Sequence, residues 1–421
     1  MNTVAREIVE LIESSKSKPD FLEILFGEHK RDALNGAPVV LFGAGGLGAE
    51  MCSTLRTHGV NSVCFCDNDD TKKDSAYCNI PVITFQQLKE SHKNSLVVIT
   101  SHKYLDLLTD QLLENDFSSD RVLCKKSDAL TPTVFMYSMI GTQCLFGGYA
   151  KECGGRTVME TYLEHQQSIF DAYTILADQH SKDLFVAKLA LMASNGNFEL
   201  FKNFIHRYSQ PVLEFGFGNY DGTPEDYYYF NNDVLTLSPE EVYVDVGAYD
   251  GDTIKTFVEA CTTKQVTYAK IYAFEPDPNC YQALLKNTAG YNNIVCHQSG
   301  IWSQTQILRF NTSENGIHDQ AGEISHEGNI EIKVVSLDDF LQGEKVTFIK
   351  MDPGGNVIPE AIHGAAKTIA QFKPKLALGS YHAVKSMFEI PLLVHKICPD
   401  YKLYLRHNTY HLCDTDLFAT L

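Results

Sequence analysis

Twice in this chain a short apolar strand runs straight into a glycine turn and then a helix, an arrangement open to few folds. The first instance is Val39-Val40-Leu41-Phe42, followed by Gly43-Ala44-Gly45-Gly46-Leu47-Gly48 and a helical stretch through His58. The second is Val242 to Val246, followed by Gly247-Ala248-Tyr249-Asp250-Gly251 and a helix opening at Asp252-Thr253. The short apolar run Val39 to Phe42 suits a strand buried on both faces, as in a parallel sheet.

Around the first instance, further strands are expected at Ser62 to Cys66, Ile80 to Thr84, Leu96 to Thr100 and Arg121 to Cys124, with helices between them. Around the second they are expected at Lys270 to Phe274, Ile294 to His297, Gln306 to Phe310, Ile330 to Val334 and Val346 to Met351. Lys375 to Ser380, Lys402 to Arg406 and Leu417 to Ala419 follow with little helix between the last of them, which suggests an antiparallel finish. Alternation of strand and helix predicts two Rossmann-like, doubly wound α/β sheets. Between them, Thr157 to Arg207 reads as helix, with Met159, Tyr162, Leu163, Gln166, Ile169, Phe170 and Tyr173 near one stripe. This segment carries no chemical signature and is expected to pack the two sheets together. The resulting division is an N-terminal Rossmann-like domain over 1–150, a helical linker over 151–225 and a second domain over 226–421. The aromatic run Tyr227-Tyr228-Tyr229-Phe230 leads into the second sheet.

Bulk properties narrow the partners. A formal charge of −18 with no dense Lys/Arg run argues against a polyanion binder, so no nucleic-acid partner is expected. Met1 to Asp20 reads as an amphipathic helix without a secretion signal, and no apolar run spans a bilayer, so no membrane partner is expected. Several of the 12 cysteines, among them Cys64, Cys66, Cys124 and Cys296, fall in apolar strand-like runs, and none sits at zinc spacing. Buried reduced thiols in a cytoplasmic protein, and no metal, are the reading. Nothing in the pattern sets the oligomeric state.

The richest chemistry lies in the second glycine turn. A dinucleotide site uses three glycines because a pyrophosphate rests on that turn. Here only Gly247 and Gly251 are present, and Asp245, Asp250 and Asp252 crowd the same stretch. Three carboxylates would repel a pyrophosphate and suit a cationic ligand, such as a sulfonium carrying an ammonium group. Glu275 closes the next strand, 24 residues beyond Gly251 (275 − 251), where a carboxylate can accept both hydroxyls of a ribose. The alternative for Glu275 is a solvated acid at a strand end.

These residues carry a resemblance to the FkbM family of S-adenosylmethionine-dependent methyltransferases, covering the chain from about Asp226 to its end. The matching motifs are Val244 to Thr253, Phe274-Glu275-Pro276, Gly300-Ile301-Trp302, Val335-Ser336-Leu337-Asp338-Asp339 and Phe348-Ile349-Lys350-Met351-Asp352. Lys373-Pro374-Lys375-Leu376-Ala377 leading to Tyr381-His382 completes the set. The resemblance implies a methyltransferase-type sheet and S-adenosylmethionine as cofactor. It also implies O-methylation of a sugar or natural-product hydroxyl, with a small hydroxylated acceptor as partner. Cofactor contacts are expected from Asp245, Gly247, Tyr249, Asp250, Gly251, Thr253 and Glu275.

Methyl transfer needs an in-line nucleophile, and a hydroxyl acceptor gains from a general base. Asp352, at a strand end on the ligand-binding edge, and His382, after a later strand, are the catalytic candidates; His297 is a weaker one. Either of the first two could instead be structural, Asp352 as a helix cap and His382 as a satisfied loop residue. The family continues the Asp352 motif as Asp-Ile-Glu-Gly-Ala-Glu, whereas this chain reads Asp352-Pro353-Gly354-Gly355-Asn356-Val357. Both following acids are absent, so a catalytically silent binder of adenosylmethionine is the alternative function.

The first turn is a true G-x-G-x-x-G, and Asp67 follows 19 residues after Gly48 (67 − 48). Gly43, Gly45, Gly48 and Asp67 could hold a nucleotide or sugar nucleotide, or the turn could be an empty scaffold. An NAD-dependent oxidoreductase is a third reading, against which stands the lack of a following domain with hydride-transfer chemistry.

Overall fold

The computed structural model describes residues 1–15, 21–101, 104–124, 152–194, 197–208, 229–230, 232–312, 323–324, 327–354, 356–407 and 415–421. Tyr227, Tyr228 and Gly355 lie outside the described residues.

The first sheet is built from β1 (Val39–Phe42), β2 (Ser62–Cys66), β3 (Ala76–Tyr77), β4 (Ile80–Ile83), β5 (Leu96–Ile99) and β6 (Val122–Leu123), in the order β3-β4-β2-β1-β5-β6. Its central strands β1 and β5 are buried throughout, as their unbroken apolar sequences require. Side chains alternate between two cores, Val39, Leu41 and Val98 on one face and Val40, Phe42 and Val97 on the other.

The second sheet has seven strands. β7 (Glu241–Val246) and β8 (Tyr268–Phe274) lie beside β9 (Ile294–His297) on one side of the switch point. Four strands form the other side, in the sheet order β16-β17-β15-β14-β7-β8-β9. They are β14 (Phe348–Met351), β15 (Lys375–Gly379), β16 (Lys402–His407) and β17 (Thr415–Thr420). β17 runs antiparallel to both β15 and β16, the antiparallel finish expected from the crowded final strands.

Two segments assigned by pattern to this sheet leave it. β11 (Gln306–Asn311) and β13 (Ile330–Val335) join β10 (Gly300–Ile301) and β12 (Glu323–Ile324) in a separate four-stranded sheet. Their residues alternate between buried and exposed, so one face meets solvent, whereas β14 is buried along its length.

The helical segment belongs with the second sheet. Tyr162, Ile169, Leu184, Leu189 and Phe201 share a core with Val244, Val246, Ile349 and Leu376. The helix Gln179–Ala193 is tied to β16 by Arg406, which reaches Asp178 at 2.9 Å, and Ser181 Oγ accepts from Leu405 N–H at 2.9 Å. Thr3–Ser14, the first helix of the chain, packs into this same core through Val4 and Ile8. Residues that sequence grouped with the first sheet thus join the second unit, their apolar stripe packing on the helices Gln166–Ile175 and Gln179–Ala193.

Candidate functional site

β7 and β14 are neighbours from which the chain departs in opposite directions, and a ligand cleft is expected outside their carboxyl ends. A cleft lies there. Gly247, Tyr249 and Glu275 border it on one side and Asp352, Pro353 and Gly354 on another. Phe310, Ile324 and Ile332 of the four-stranded sheet, with Ile301, form an apolar wall. No Lys, Arg or His is among its described lining residues.

Gly247 has φ +79, and a Cβ there would stand 2.9 Å from Pro353 Cα and 3.0 Å from Asp352 O. Only glycine lets the turn touch the Asp352 loop so closely. Gly251, at φ +93, opens the helix Asp252–Thr263 and packs on Thr288 and Leu284. Tyr249 also adopts a left-handed conformation, with φ 48, which turns its N–H toward Glu275.

Glu275 is 7% exposed. Its Oε2 accepts from Tyr249 N–H at 3.0 Å and its Oε1 from Asp277 N–H at 2.8 Å. Burial pushes its carboxyl up to about 7, against the pull of those two N–H groups. The raised value sets a sign: the folded chain keeps this proton between about 4.5 and 7 while the unfolded chain has lost it. Stability from this group is therefore full below about 4.5 and lost as pH rises through about 7, by up to about 3 kcal/mol. Denaturant unfolding at pH 5 and pH 8 (roughly the two sides of that window) should show a fall that Glu275→Gln reduces. An equal fall in the variant would assign the slope to other groups.

Asp245 lies beneath the turn, fully buried, and does not border the cleft. Lys350 sits opposite it in register on β14, with Nζ 3.3 Å from Oδ1, and donates to Gly247 O at 3.1 Å. Burial pushes the Asp245 carboxyl up to about 6 in spite of that ammonium. Asp250 and Asp252 also lie off the lining: Asp252 N–H donates to Asp250 Oδ1 at 3.2 Å, and Thr253 N–H to Asp252 Oδ1 at 2.7 Å. Of the seven expected cofactor contacts, Gly247, Tyr249 and Glu275 reach the cleft; Asp245, Asp250, Gly251 and Thr253 shape the turn behind it. Acids spaced along a tight turn point in different directions, which spacing alone does not reveal.

Asp352 and His382 come together: His382 Nε2 is 2.7 Å from Asp352 Oδ1. Tyr381 Oη donates to both Asp352 oxygens, at 3.2 and 3.1 Å, and Tyr229 Oη to Oδ2 at 3.2 Å. Burial raises the Asp352 carboxyl, but the hydrogen bond and charge of His382, the charge of Lys350 and the Tyr381 hydroxyl hold it below the usual range. A Cβ on Gly379 would fall 2.2 Å from Asp352 Oδ1, so glycine on β15 makes room for this carboxylate. His297 is instead packed between Phe274 and Phe340, with Nδ1 3.1 Å from Ser299 Oγ.

Sequence reasoning gave no role to Lys350, Tyr229, Tyr381 or the apolar wall. Lys350 did leave a signal, a single cation inside the buried strand Phe348-Ile349-Lys350-Met351. Nothing local names its partner on β7. Among the described residues no group of three or more His, Cys, Asp or Glu could hold a metal ion, and no helix is long and apolar enough to cross a membrane.

A seven-stranded sheet with this order, a glycine turn after its central strand and an acid closing the next define a methyltransferase-type Rossmann-like domain. Residues 245–412 match the model of the Methyltransferase FkbM domain. The crystal structure of methyltransferase FkbM from Methylobacillus flagellatus KT is 19% identical, covers 99% of each chain and superposes with a TM-score of 0.58. At that identity the likeness is one of fold, and it extends over both sheets. A curated relative, hexuronic acid methyltransferase AglP of Haloferax volcanii, is 28% identical over 145 residues, 32% of this chain. The chain spans 57% of that relative's length.

Proposed function

We propose that the second cleft binds S-adenosylmethionine and that the chain transfers its methyl group to a hydroxyl of a sugar-like small molecule. The observation carrying this is the bond from Tyr249 N–H to Glu275 Oε2, which locks turn and carboxylate into one unit on the cleft. Glu275 keeps acceptor capacity for a ribose diol, and Gly247 leaves the backbone open beside it. The apolar wall suits a purine, and lining acids without a lining cation suit a sulfonium and disfavour a diphosphate.

When bound, adenosylmethionine would supply an electrophilic methyl group. On the protein side, Asp352 borders the cleft and holds His382 just behind the lining through the 2.7 Å contact, and the Asp352–His382 pair takes the acceptor's proton as oxygen attacks. An ionised Asp352 held by two tyrosines and a histidine serves better as an anchor than as the base itself. The sugar class draws on the Haloferax relative, whose name specifies a hexuronic acid.

One observation favours a second reading, a silent adenosylmethionine binder: the Asp352 carboxylate is already engaged by Tyr229, Tyr381 and His382, and Pro353-Gly354 follows it. Calorimetry should show adenosylmethionine and adenosylhomocysteine binding, weakened by about 1–3 kcal/mol in Glu275→Ala. Labelled adenosylmethionine incubated with hexoses and hexuronic acids should yield labelled product. Unchanged affinity in Glu275→Ala removes Glu275 from the site. Tight binding without product on any acceptor leaves the silent reading standing.

A further inference from the structure

The first sheet carries a cleft of its own, and the methyltransferase reading does not use it. Strand order reverses between β1 and β5, and the cleft opens at their carboxyl ends, bordered by Gly43, Gly45, Asp67, Lys72, Thr100 and Tyr104. Ligands of open α/β sheets bind at such reversals. Unlike the second cleft, this one has a lysine on its wall.

The three glycines of the turn differ in what the fold asks of them. Gly43 has φ +125, and a Cβ on it would press on Thr100 at 3.0 Å. A Cβ on Gly48 would fall 2.2 Å from Gly43 O. Both glycines are therefore required by packing. Gly45 is not: its φ is −131, open to any residue, and a Cβ would meet nothing within 4 Å. That empty position faces the cleft at the start of the helix Gly46–Thr57, whose first N–H groups receive no side-chain cap from Gly45. A bare backbone there leaves room for a ligand to lie directly against the turn.

Asp67, closing β2, is bound to the same turn. Its Oδ2 accepts from Ala44 N–H at 2.8 Å and from Lys72 Nζ at 3.1 Å, and Lys72 also donates to Ala44 O at 2.9 Å. The Lys72 side chain is 39% exposed and that of Asp67 14%, so the ammonium can swing toward a ligand while Asp67 keeps the N–H groups of Ala44 and Asp69.

We propose that this cleft binds a ribosyl diphosphate, the unit shared by dinucleotides and nucleotide sugars. The diphosphate lies over Gly45 at the helix start, Asp67 receives the ribose hydroxyls, and Lys72 supplies the cation. The proposal rests on the first sheet alone and is independent of what the second cleft takes.

Calorimetry or ligand-observed NMR on the full chain tests it with UDP-glucose, NAD and adenosine. UDP-glucose or NAD should bind at least about tenfold more tightly than adenosine, and whichever binds identifies the source of the diphosphate. Gly45→Phe, which fills the cleft, should weaken that binding at least about tenfold with an unchanged melting temperature. Gly45→Ala adds only a methyl group in open space and guards against a misfolded Phe variant; it should weaken binding in the same direction. Failure of both diphosphates to bind the wild type at millimolar concentration overturns the proposal. So does wild-type affinity in a folded Gly45→Phe chain.

Discussion

Asp352→Ala is expected to lower methyl-transfer turnover by about 10²–10⁴-fold while changing adenosylmethionine affinity less than about tenfold. The Asp352 carboxylate is the common acceptor for His382, Tyr381 and Tyr229, so its loss takes an acceptor from the imidazole and both hydroxyls together. An anchor of a proton acceptor acts chiefly in the transition state, where the imidazolium forms, so the deficit falls on turnover. On the proposed reading, cofactor affinity would depend instead on Gly247, Tyr249 and Glu275, and Gly247 lies against the backbone of Asp352. His382→Ala should match the loss, and the double variant should cost little more than either single one, because the two residues act as a unit.

Asp352→Asn keeps the shape but exchanges the charge that stabilises the imidazolium, and should fall close to the alanine variant. Full turnover in Asp352→Ala would refute the anchoring role. A Pro353→Ile/Gly354→Glu variant bears on the altered loop. If the wild type is inactive on every acceptor and this variant gains activity, the chain is a silent binder.

The second large effect concerns stability. Lys350→Met should destabilise the chain by about 3–5 kcal/mol at neutral pH, since it leaves the fully buried Asp245 without its cation. Methionine fills the lysine stem, so the loss is electrostatic rather than a cavity. The deficit should shrink at pH 5 (roughly one unit below the value to which burial already pushes Asp245), because a protonated carboxyl needs no partner. Removing the second charge as well, in Asp245→Asn/Lys350→Met, should recover most of the stability. Denaturation midpoints of the single and double variants check this. A double variant as unstable as the single one would show that the pair is not the cause. Lys350 also holds Gly247 O at 3.1 Å, so the single variant should loosen the turn and weaken cofactor binding.

Much of the architecture was legible in local pattern. An unbroken apolar run such as Val39 to Phe42 can be satisfied only by burial on both faces, so it declares a parallel strand. Glycines at Gly247 and Gly251, followed by a polar helix start, declare a turn held in left-handed backbone. Glu275 was legible because an acid at the end of the next strand is carried by the sheet to the same edge as the turn. These are consequences of period and chain geometry, and the sequence by itself determined them.

Long-range register decided the rest. Asp245, Asp250 and Asp252 look equivalent along the chain, yet Asp245 is still on β7, beside Lys350 of β14, and all three lie off the cleft wall. Lys350 and Asp245 are more than a hundred residues apart, and only the alignment of β14 beside β7 makes them a pair. Tyr229, Asp352 and His382 meet because two separate strand ends, those of β14 and β15, and a segment that precedes β7 converge on one edge of the sheet. Gln306 to Asn311 and Ile330 to Val335 show the same limit. Their pattern names them strands, but which sheet they join is set by the apolar face they must cover. Local sequence encodes conformation and burial through short-range sterics; partners across the fold are chosen by packing, where residues of any separation compete for the same space.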